Sequence, residues 1–489
     1  MHIPQLYPGS LALLTDLYEL TMAYGYWKSR FPDREAVFSV FFREHPFRGG
    51  YTIASGLESA VRWIANLRFG EDDLDYLRTL SGNDRGPLFA EEFLDYLRNF
   101  RFRCDVDAVP EGTVVFPRQP LLRVSGPILQ AQILETAVLN LINFQSLIAT
   151  KAARVCLAAR EDPVIEFGLR RAQGVDGGIT ASRAAYVGGC RATSNVLAGK
   201  LFGIPVRGTV AHSWVMSFDT EAEAFEAWAR AMPNNSVLLV DTYDTLVGVS
   251  RAIDAGHRLR AMGYELAGIR LDSGDLAYLS VEARKMLDGA GFPDAVILAS
   301  NNLDEHLIAS LREQGAAIGA WGVGTRLSTA FDEPALGGVY KLTAVRNRPE
   351  APWSYRLKLS EQVTRASVPG LLQVRRFYRD GEFLADMIYD EQLGIGDSRV
   401  IVDPVDSTRR KKVPPEAKFE DLLVPVFRKG ERVMEMPSLD TIRERVRSQL
   451  GALHPSIRRL LNPHEYPAGL AGNLADLRNR MIRDLKTDG

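Results

Sequence analysis

Short apolar runs and longer amphipathic stretches alternate through the middle of the chain. Val164-Ile165-Glu166-Phe167, Val237-Leu238-Leu239-Val240, Leu266-Ala267-Gly268-Ile269, Ala295-Val296-Ile297-Leu298 and Ala317-Ile318-Gly319-Ala320 each read as a short buried strand. Helix-length segments lie between and beside them, at 180–199, 221–231, 245–262, 277–289 and 303–314. Strand, helix and strand at this spacing predict crossover units and a parallel sheet. Strands that are apolar almost throughout fit a sheet covered on both faces. The flanks have another rhythm. Up to about residue 125, extended pieces such as 37–42 alternate with charged helices within 71–98, and strands are expected around Val106, Thr113 and Leu121. Beyond Lys341 come strand candidates at 371–378 and 399–402, then a charged helix at 439–450. The pattern predicts a central α/β barrel over residues 128–342 and a second α+β domain built from both chain ends, 1–127 and 343–489. An open doubly wound sheet is the alternative.

The most apolar stretch, 128–159, is interrupted by Glu135, Asn140, Asn143, Gln145 and Lys151. That is the pattern of a buried or half-buried helix rather than a membrane span. Lys151 and Arg154, at i and i+3, read as solvated charges, and Trp214 and Trp321 as wall or core. A chain of 489 residues with 46% apolar and 25% charged positions can build a sizeable core. The net charge of -2 offers no basic excess for a nucleic-acid partner, so phosphate chemistry would rest on a few placed groups. Cys104, Cys156 and Cys190 are sparse and form no metal-ligand spacing, which predicts reduced thiols and a cytoplasmic setting. Asp16 and Glu19 arrive where a secretory signal would be apolar, so none is expected.

Polar residues accumulate where the predicted strands end, which is where a parallel barrel builds its active site. The first strand runs into Gly168, Leu169, Arg170 and Arg171; the segment 206–211 delivers His212 and Ser213. Later ends carry Asp241, Thr242, Tyr243 and Asp244, then Arg270-Leu271-Asp272-Ser273-Gly274-Asp275, Ser300-Asn301-Asn302, and Gly322-Val323-Gly324-Thr325. Planar guanidinium forks suit phosphate and carboxylate oxygens. The glycines of 322–325 let backbone N–H groups approach a phosphate. Asp241, Asp272 and Asp275 can hold Mg²⁺ or ribose hydroxyls, although Asp-Ser-Gly-Asp can equally cap a helix. His212 can act as nucleophile or proton carrier. No strand-end Lys points to Schiff-base chemistry of the aldolase kind.

Seven blocks running in order over nearly the whole chain resemble the nicotinate phosphoribosyltransferase family: Leu13-Leu14-Thr15-Asp16-Leu17-Tyr18-Glu19; Phe41-Phe42-Arg43 with Pro46-Phe47-Arg48-Gly49-Gly50-Tyr51; Glu166-Phe167-Gly168-Leu169-Arg170-Arg171-Ala172-Gln173-Gly174; Gly208-Thr209-Val210-Ala211-His212-Ser213; Arg270 to Asp275; Gly337-Gly338-Val339-Tyr340-Lys341-Leu342; and Asn462-Pro463-His464-Glu465-Tyr466. The resemblance implies a homodimer with shared sites, an irregular parallel α/β barrel of the type II phosphoribosyltransferase kind, and transfer of ribose 5-phosphate from phosphoribosyl pyrophosphate to nicotinate. It implies Mg²⁺, and ATP as co-substrate phosphorylating His212. Tyr18 of one subunit and Phe167 of the other would sandwich the pyridine ring, with Arg270 and Thr209 at the ring carboxylate. Arg170 and the loop of Gly322, Gly324 and Thr325 would take phosphate groups; the strand-end positions of Arg171, Ser300 and Asn301 add them to that set, and those of Asp241 and Asp272 mark them for the metal. Amide-using relatives carry an Asp where Ser194 stands, which marks Ser194 for acid over amide. Lys358-Leu359-Ser360 and Pro369-Gly370 keep the family pattern, but Leu371-Leu372 replaces residues that are usually basic. The rivals are a nicotinamide phosphoribosyltransferase and a catalytically silent metabolite-binding barrel.

Overall fold

The apolar runs form strands in the computed structural model, which describes residues 9–359, 366–396 and 399–487. Ser360 of the Lys358-Leu359-Ser360 block lies outside them. The chain divides into two compact units. One holds Ile148–Pro334, and the other is built from the residues up to Leu147 and from Ala335 onward. The breaks fall at 147/148 and 334/335, where the hydrophobic pattern places them at 127/128 and 342/343.

The central unit contains a six-stranded parallel sheet. Its strands are β1 (Val164–Glu166), β2 (Ala192–Thr193), β3 (Val237–Leu239), β4 (Gly268–Leu271), β5 (Val296–Ala299) and β6 (Ala320–Val323). The order across the sheet is β2-β1-β6-β5-β4-β3, and every ladder is parallel. Helices Glu221–Ala231, Thr245–Ala261, Leu276–Gly289 and Glu305–Glu313 connect the later strands, close to their expected positions. Asp244, Asp275 and Asp304 cap three of them by accepting backbone N–H groups. The helix-capping reading of Asp275 is therefore the one its side chain adopts.

Two expectations are corrected. The segment 180–199 is not one helix: it holds the end of Gly174–Val187, then β2, then the start of Val196–Phe202. Gly188 and Gly189 make the break. A Cβ on Gly188 would sit 2.3 Å from the Ala149 carbonyl oxygen, and Gly189 has φ +123°, a region that L side chains rarely adopt. Lys151 and Arg154 are not solvated. Both are at most 1% exposed, and both pair with the buried carboxylate of Glu305. They sit on helix Glu135–Ala159. Residues Ile128–Ala159 have the length and hydropathy of a membrane span, but 61% of the apolar window within them is buried, and Lys151 and Arg154 are paired inside the protein. Trp321 is fully buried, as expected of a core residue, and its Nε1 donates to Asp162 at 3.1 Å.

The other unit holds two larger sheets. The seven-stranded sheet runs from Ser354–Tyr355 through Val339–Arg346, Glu35–Phe41, Leu122–Pro127, Asp105–Ala108 and Val424–Arg428 to Glu431–Arg432, so strands from both chain ends interleave. A six-stranded sheet with Ala468–Ala471 and Glu382–Asp390 at its centre comes from the C-terminal part alone.

Candidate active site

In a parallel sheet, adjacent strands end on the same side. Across the order β2-β1-β6-β5-β4-β3, the residues that follow the first five strands are Ser194, Phe167, Gly324, Ser300 and Asp272, and Asp241 stands two residues past the end of β3. Register fixes the neighbours. Glu166 lies opposite Thr193, so Phe167 and Ser194 leave the sheet side by side, and Ser194 N–H donates to the Glu166 carbonyl at 2.9 Å. Glu166 is a buried carboxylate in an otherwise apolar strand. It accepts from Thr193 at 2.6 Å, Ser182 at 2.9 Å and the Gly168 N–H, which sets the turn after β1.

Arg270 is the hub. Its Nε donates to Ser300 Oγ at 2.8 Å, Nη1 to Thr209 Oγ1 at 3.0 Å and Nη2 to Asp272 Oδ1 at 2.8 Å. Its guanidinium carbon lies 5.6 Å from the centre of the Phe167 ring. A guanidinium has five N–H donors, so one on each terminal nitrogen remains. Ser300 also donates to Asp272. Burial works to raise the Asp272 pKa, but the Ser300 hydrogen bond, the charge and hydrogen bond of Arg270, and His212 together hold it below the usual carboxylate range. Asp241 Oδ2 accepts from the Asp272 N–H and from Ser273 Oγ, both at 2.7 Å. Its buried Oδ1 has no hydrogen-bond partner.

The segment 206–212 touches both edges of the sheet. Val206 bridges to Thr193 beside β2, while Thr209 reaches Arg270 on β4. His212 Nδ1 lies 3.1 Å from Thr242 Oγ1, just past β3. His212 Nε2 lies 3.8 Å from Asp272 Oδ2, and the ring is 40% exposed. Gly322 lies under Phe167: a Cβ there would come within 2.6 Å of the ring. Asn301 and Asn302 are both left-handed, with φ of +87° and +41°. Arg170 and Arg171 form an exposed 3-10 turn, and neither side chain has a hydrogen bond or ion pair among the described residues. Among those residues, no group of three or more His, Cys, Asp or Glu converges as a metal cage.

Family models cover most of the chain. The nicotinate phosphoribosyltransferase N-terminal domain matches residues 13–143, the family model itself 164–351, and the C-terminal domain 373–478. The chain is 40% identical to the Bacillus subtilis protein named nicotinate phosphoribosyltransferase, covering 98% of this chain and 96% of that one. The chain belongs to the nicotinate phosphoribosyltransferase family. Its structure superposes on that of human nicotinic acid phosphoribosyltransferase with a TM-score of 0.82 and 33% identity, covering 96% of this chain and 99% of that one. The fold extends to a nicotinate-nucleotide pyrophosphorylase from Pyrococcus furiosus, with a TM-score of 0.68 at 23% identity and covering 91% and 96% of the two chains.

Nicotinate phosphoribosyltransferase motifs in the other unit have their own setting. Tyr18 is exposed on helix Leu17–Lys28, while the next residue, Glu19, is fully buried. Glu19 accepts from Gln132 Nε2 at 2.8 Å, and its other oxygen has no partner. Burial pushes its pKa up to about 7; the Gln132 hydrogen bond opposes this and Glu135 adds to it. Lys341 is held below the usual lysine range, first by burial, with Lys358 and Arg43 adding to it and Glu135 opposing. In the sequence Arg43 and Lys341 stand only within the family-like blocks; that three basic residues share one field is not legible along the chain. Thr242, Ser273 and Glu166 were likewise named only as strand or strand-end residues. The signal for Glu166 was a carboxylate inside an apolar strand.

Proposed function

We propose that this chain transfers ribose 5-phosphate from phosphoribosyl pyrophosphate to nicotinate, giving nicotinate mononucleotide and pyrophosphate, on a sheet curled into an irregular barrel. One observation carries the reading: a guanidinium braced by Thr209, Ser300 and Asp272 lies beside the Phe167 ring at the carboxyl edge of the sheet. A pyridine carboxylate needs a flat apolar surface for its ring and a fixed cation for its charge. The two remaining terminal donors of Arg270 and the Thr209 hydroxyl would take the carboxylate, with Ser194 at its side. Tyr18 of a second copy would cover the other face of the ring, in a homodimer with shared sites.

The ring nitrogen attacks ribose C1 with its own lone pair, forming the N–C1 bond as the C1–O bond to pyrophosphate breaks. No general base is required. Positive charge grows on the ribose in that step, and the carboxylates of Asp241 and Asp272 would favour it electrostatically. Arg170, Arg171, Asn301 and the backbone around Gly322, Gly324 and Thr325 would bind the phosphates. Asp241, with its buried unpartnered oxygen, and Asp272 fit Mg²⁺, which is held by one or two carboxylates plus substrate phosphates and water. When bound, Mg²⁺ neutralises charge on the departing pyrophosphate.

His212 would couple the reaction to ATP. With its proton on Nδ1, toward Thr242, the ring presents the Nε2 lone pair. Nε2 attacks the γ-phosphorus, the bond to the β-phosphate oxygen breaks, and ADP leaves. Hydrolysis of the phosphohistidine returns the free ring and phosphate.

The test is turnover of labelled nicotinate with phosphoribosyl pyrophosphate, Mg²⁺ and ATP, repeated with nicotinamide. Formation of the labelled acid nucleotide is expected. No product with either pyridine would leave a silent binding barrel, and equal use of the amide would give the site to the other substrate.

A further inference from the structure

Behind the strand ends, six charged side chains alternate in sign along one path. Arg154 Nε donates to Glu305 Oε1 at 2.7 Å, and Lys151 Nζ pairs with Glu305 Oε2 at 2.7 Å. The same Nζ lies 2.7 Å from Asp332 Oδ2. Arg326 Nη1 is 3.8 Å from Asp332 Oδ1 and donates to Asp304 Oδ2 at 3.0 Å. Asp304 uses its other oxygen to cap helix Glu305–Glu313, accepting from His306 N–H at 3.1 Å and Leu307 N–H at 2.8 Å. One end of the path is sealed: Lys151, Arg154 and Glu305 are at most 1% exposed. The links at Asp332 and Arg326 are partly open to solvent, and Asp304 at the other end is buried.

The path joins two particular segments. Asp304 follows the Ser300-Asn301-Asn302 turn after β5, and Arg326 follows Gly324 and Thr325 after β6. The first of these turns has unusual backbone, since Asn301 and Asn302 are consecutive left-handed residues. Such conformations persist when the surrounding structure over-determines them. Burying Lys151, Arg154 and Glu305 is a poor way to gain stability, because desolvation offsets the attraction and apolar side chains of similar volume serve at least as well. What a chain of ion pairs supplies, and apolar packing does not, is a fixed direction between two loops.

We propose that Lys151, Asp332, Arg326 and Asp304 form a positioning brace that sets the Asn301 turn and the Gly322–Thr325 turn at the spacing required for the phosphates of the sugar substrate. This rests on reading those turns as phosphate sites. The four act through the loops rather than on the substrate.

Asp332→Asn tests the brace at its partly exposed link. Lys151 keeps Glu305 as its partner, so no buried charge is stranded. The KM for phosphoribosyl pyrophosphate should rise about tenfold, the size of coupling seen within one ion-pair network, while the KM for nicotinate stays within about twofold. Asp332→Glu should restore most of the loss. Amide hydrogen exchange, read on the free protein, should speed up in both 300–304 and 322–326. Unchanged exchange in those segments overturns the brace whatever the kinetics show. An unchanged sugar KM in Asp332→Asn beside a raised one in Arg326→Gln also overturns it, because Arg326 would then act by direct contact. A wild-type protein that never turns over the sugar overturns the functional reading instead, and the exchange measurement decides the brace alone.

Discussion

Gly322 lies directly beneath the ring of Phe167: a methyl group on Gly322 would stand 2.6 Å from Cε2 and 2.7 Å from Cδ2. The ring faces Arg270 at 5.6 Å, so its tilt and the guanidinium's place are set together. Gly322 has no left-handed backbone to protect. Its value is the absence of a side chain.

Gly322→Ala should therefore move the ring without breaking β6. Overpacking of this kind typically costs about 1–3 kcal/mol. The nicotinate KM should rise about tenfold, consistent with roughly 1.4 kcal/mol lost from ring contact, while the KM for the sugar changes much less. Steady-state kinetics with each substrate varied in turn checks this. Equal effects on both would mean that the glycine serves the phosphate side.

The sheet was legible because its strands are buried on both faces and stand out as apolar runs. The ends of those runs were less so. Periodicity placed one strand at 266–269 and another at 317–320, whereas β4 is Gly268–Leu271 and β6 is Ala320–Val323; hydrogen bonds to neighbouring strands, not local hydrophobicity, decide where a ladder stops. β2 was hidden because two strand residues between helices leave almost no period, although Gly188-Gly189 marked the break. Lys151 and Arg154 misled for another reason. Their burial depends on Glu305, some 150 positions away, and a charge pattern on one helix does not reveal a partner on another. The strand-end residues stand out in the sequence because parallel topology puts them on one edge; the bonds from Arg270 to Thr209 and Ser300 leave no trace in the local pattern.

His212 can be tested through its own hydrogen bond. If Thr242 holds Nδ1 and leaves Nε2 to attack ATP, His212→Ala should abolish nicotinate-stimulated ATP hydrolysis while the fold survives. Thr242→Val should lower the phosphorylation rate about tenfold, the worth of one positioned hydrogen bond, and Thr242→Ser should retain it. Mass spectrometry that preserves acid-labile phosphate reads both. A full phosphate yield in His212→Ala would move the acceptor elsewhere.

Glu19 gives a pH dependence of stability. Its pKa is pushed up to about 7 in the folded protein, against about 4.3 in an unfolded chain. The folded state binds the proton more tightly, so stability falls as pH rises from about 4.3 through 7. The contribution is fully present below the lower value and lost above the upper. Gln132 and Tyr18 favour the ionised form, and Glu135 and Asp16 oppose it. Glu19→Gln should match the wild type in melting temperature near pH 4 and exceed it at pH 8. A constant difference across that range would show that Glu19 stays ionised in the fold.

The shared-site reading predicts complementation. Tyr18 and Arg270 lie in different units of one chain, and a partner copy would supply Tyr18 to the ring held at Phe167. Tyr18→Ala alone should raise the nicotinate KM, and Arg270→Ala alone should be nearly inactive. After subunit exchange, a mixed dimer would hold one doubly damaged site and one intact site. Activity should then recover toward a quarter of wild type in an equal mixture, since half of the dimers are mixed and each carries one good site of two. Exchange is verified by tagging one mutant and isolating the mixed species. No recovery in that species would assign Tyr18 to the site of its own chain.

On the proposed reading, Ser194 would decide between acid and amide. It leaves the sheet beside Phe167, with its N–H bound to the Glu166 carbonyl at 2.9 Å, at the end of a strand and not inside a helix of small residues. A hydroxyl there can donate to a ring carboxylate, whereas a carboxylate there would repel one. Interactions with a charged group are typically worth about 1.5–3 kcal/mol, or roughly one to two decades in kcat/KM. Arg270 and Thr209 act in the same direction, so the wild type should prefer nicotinate to nicotinamide by at least about two decades. Ser194→Asp should lose activity on the acid first and narrow that ratio from the acid side. Ser194→Ala separates the two causes: it removes the donor without adding charge, so a small loss there beside a large loss in Ser194→Asp would mean that repulsion, rather than a hydrogen bond, makes this position selective. An unchanged ratio in both variants would remove Ser194 from the account and leave the preference to Arg270 and Thr209.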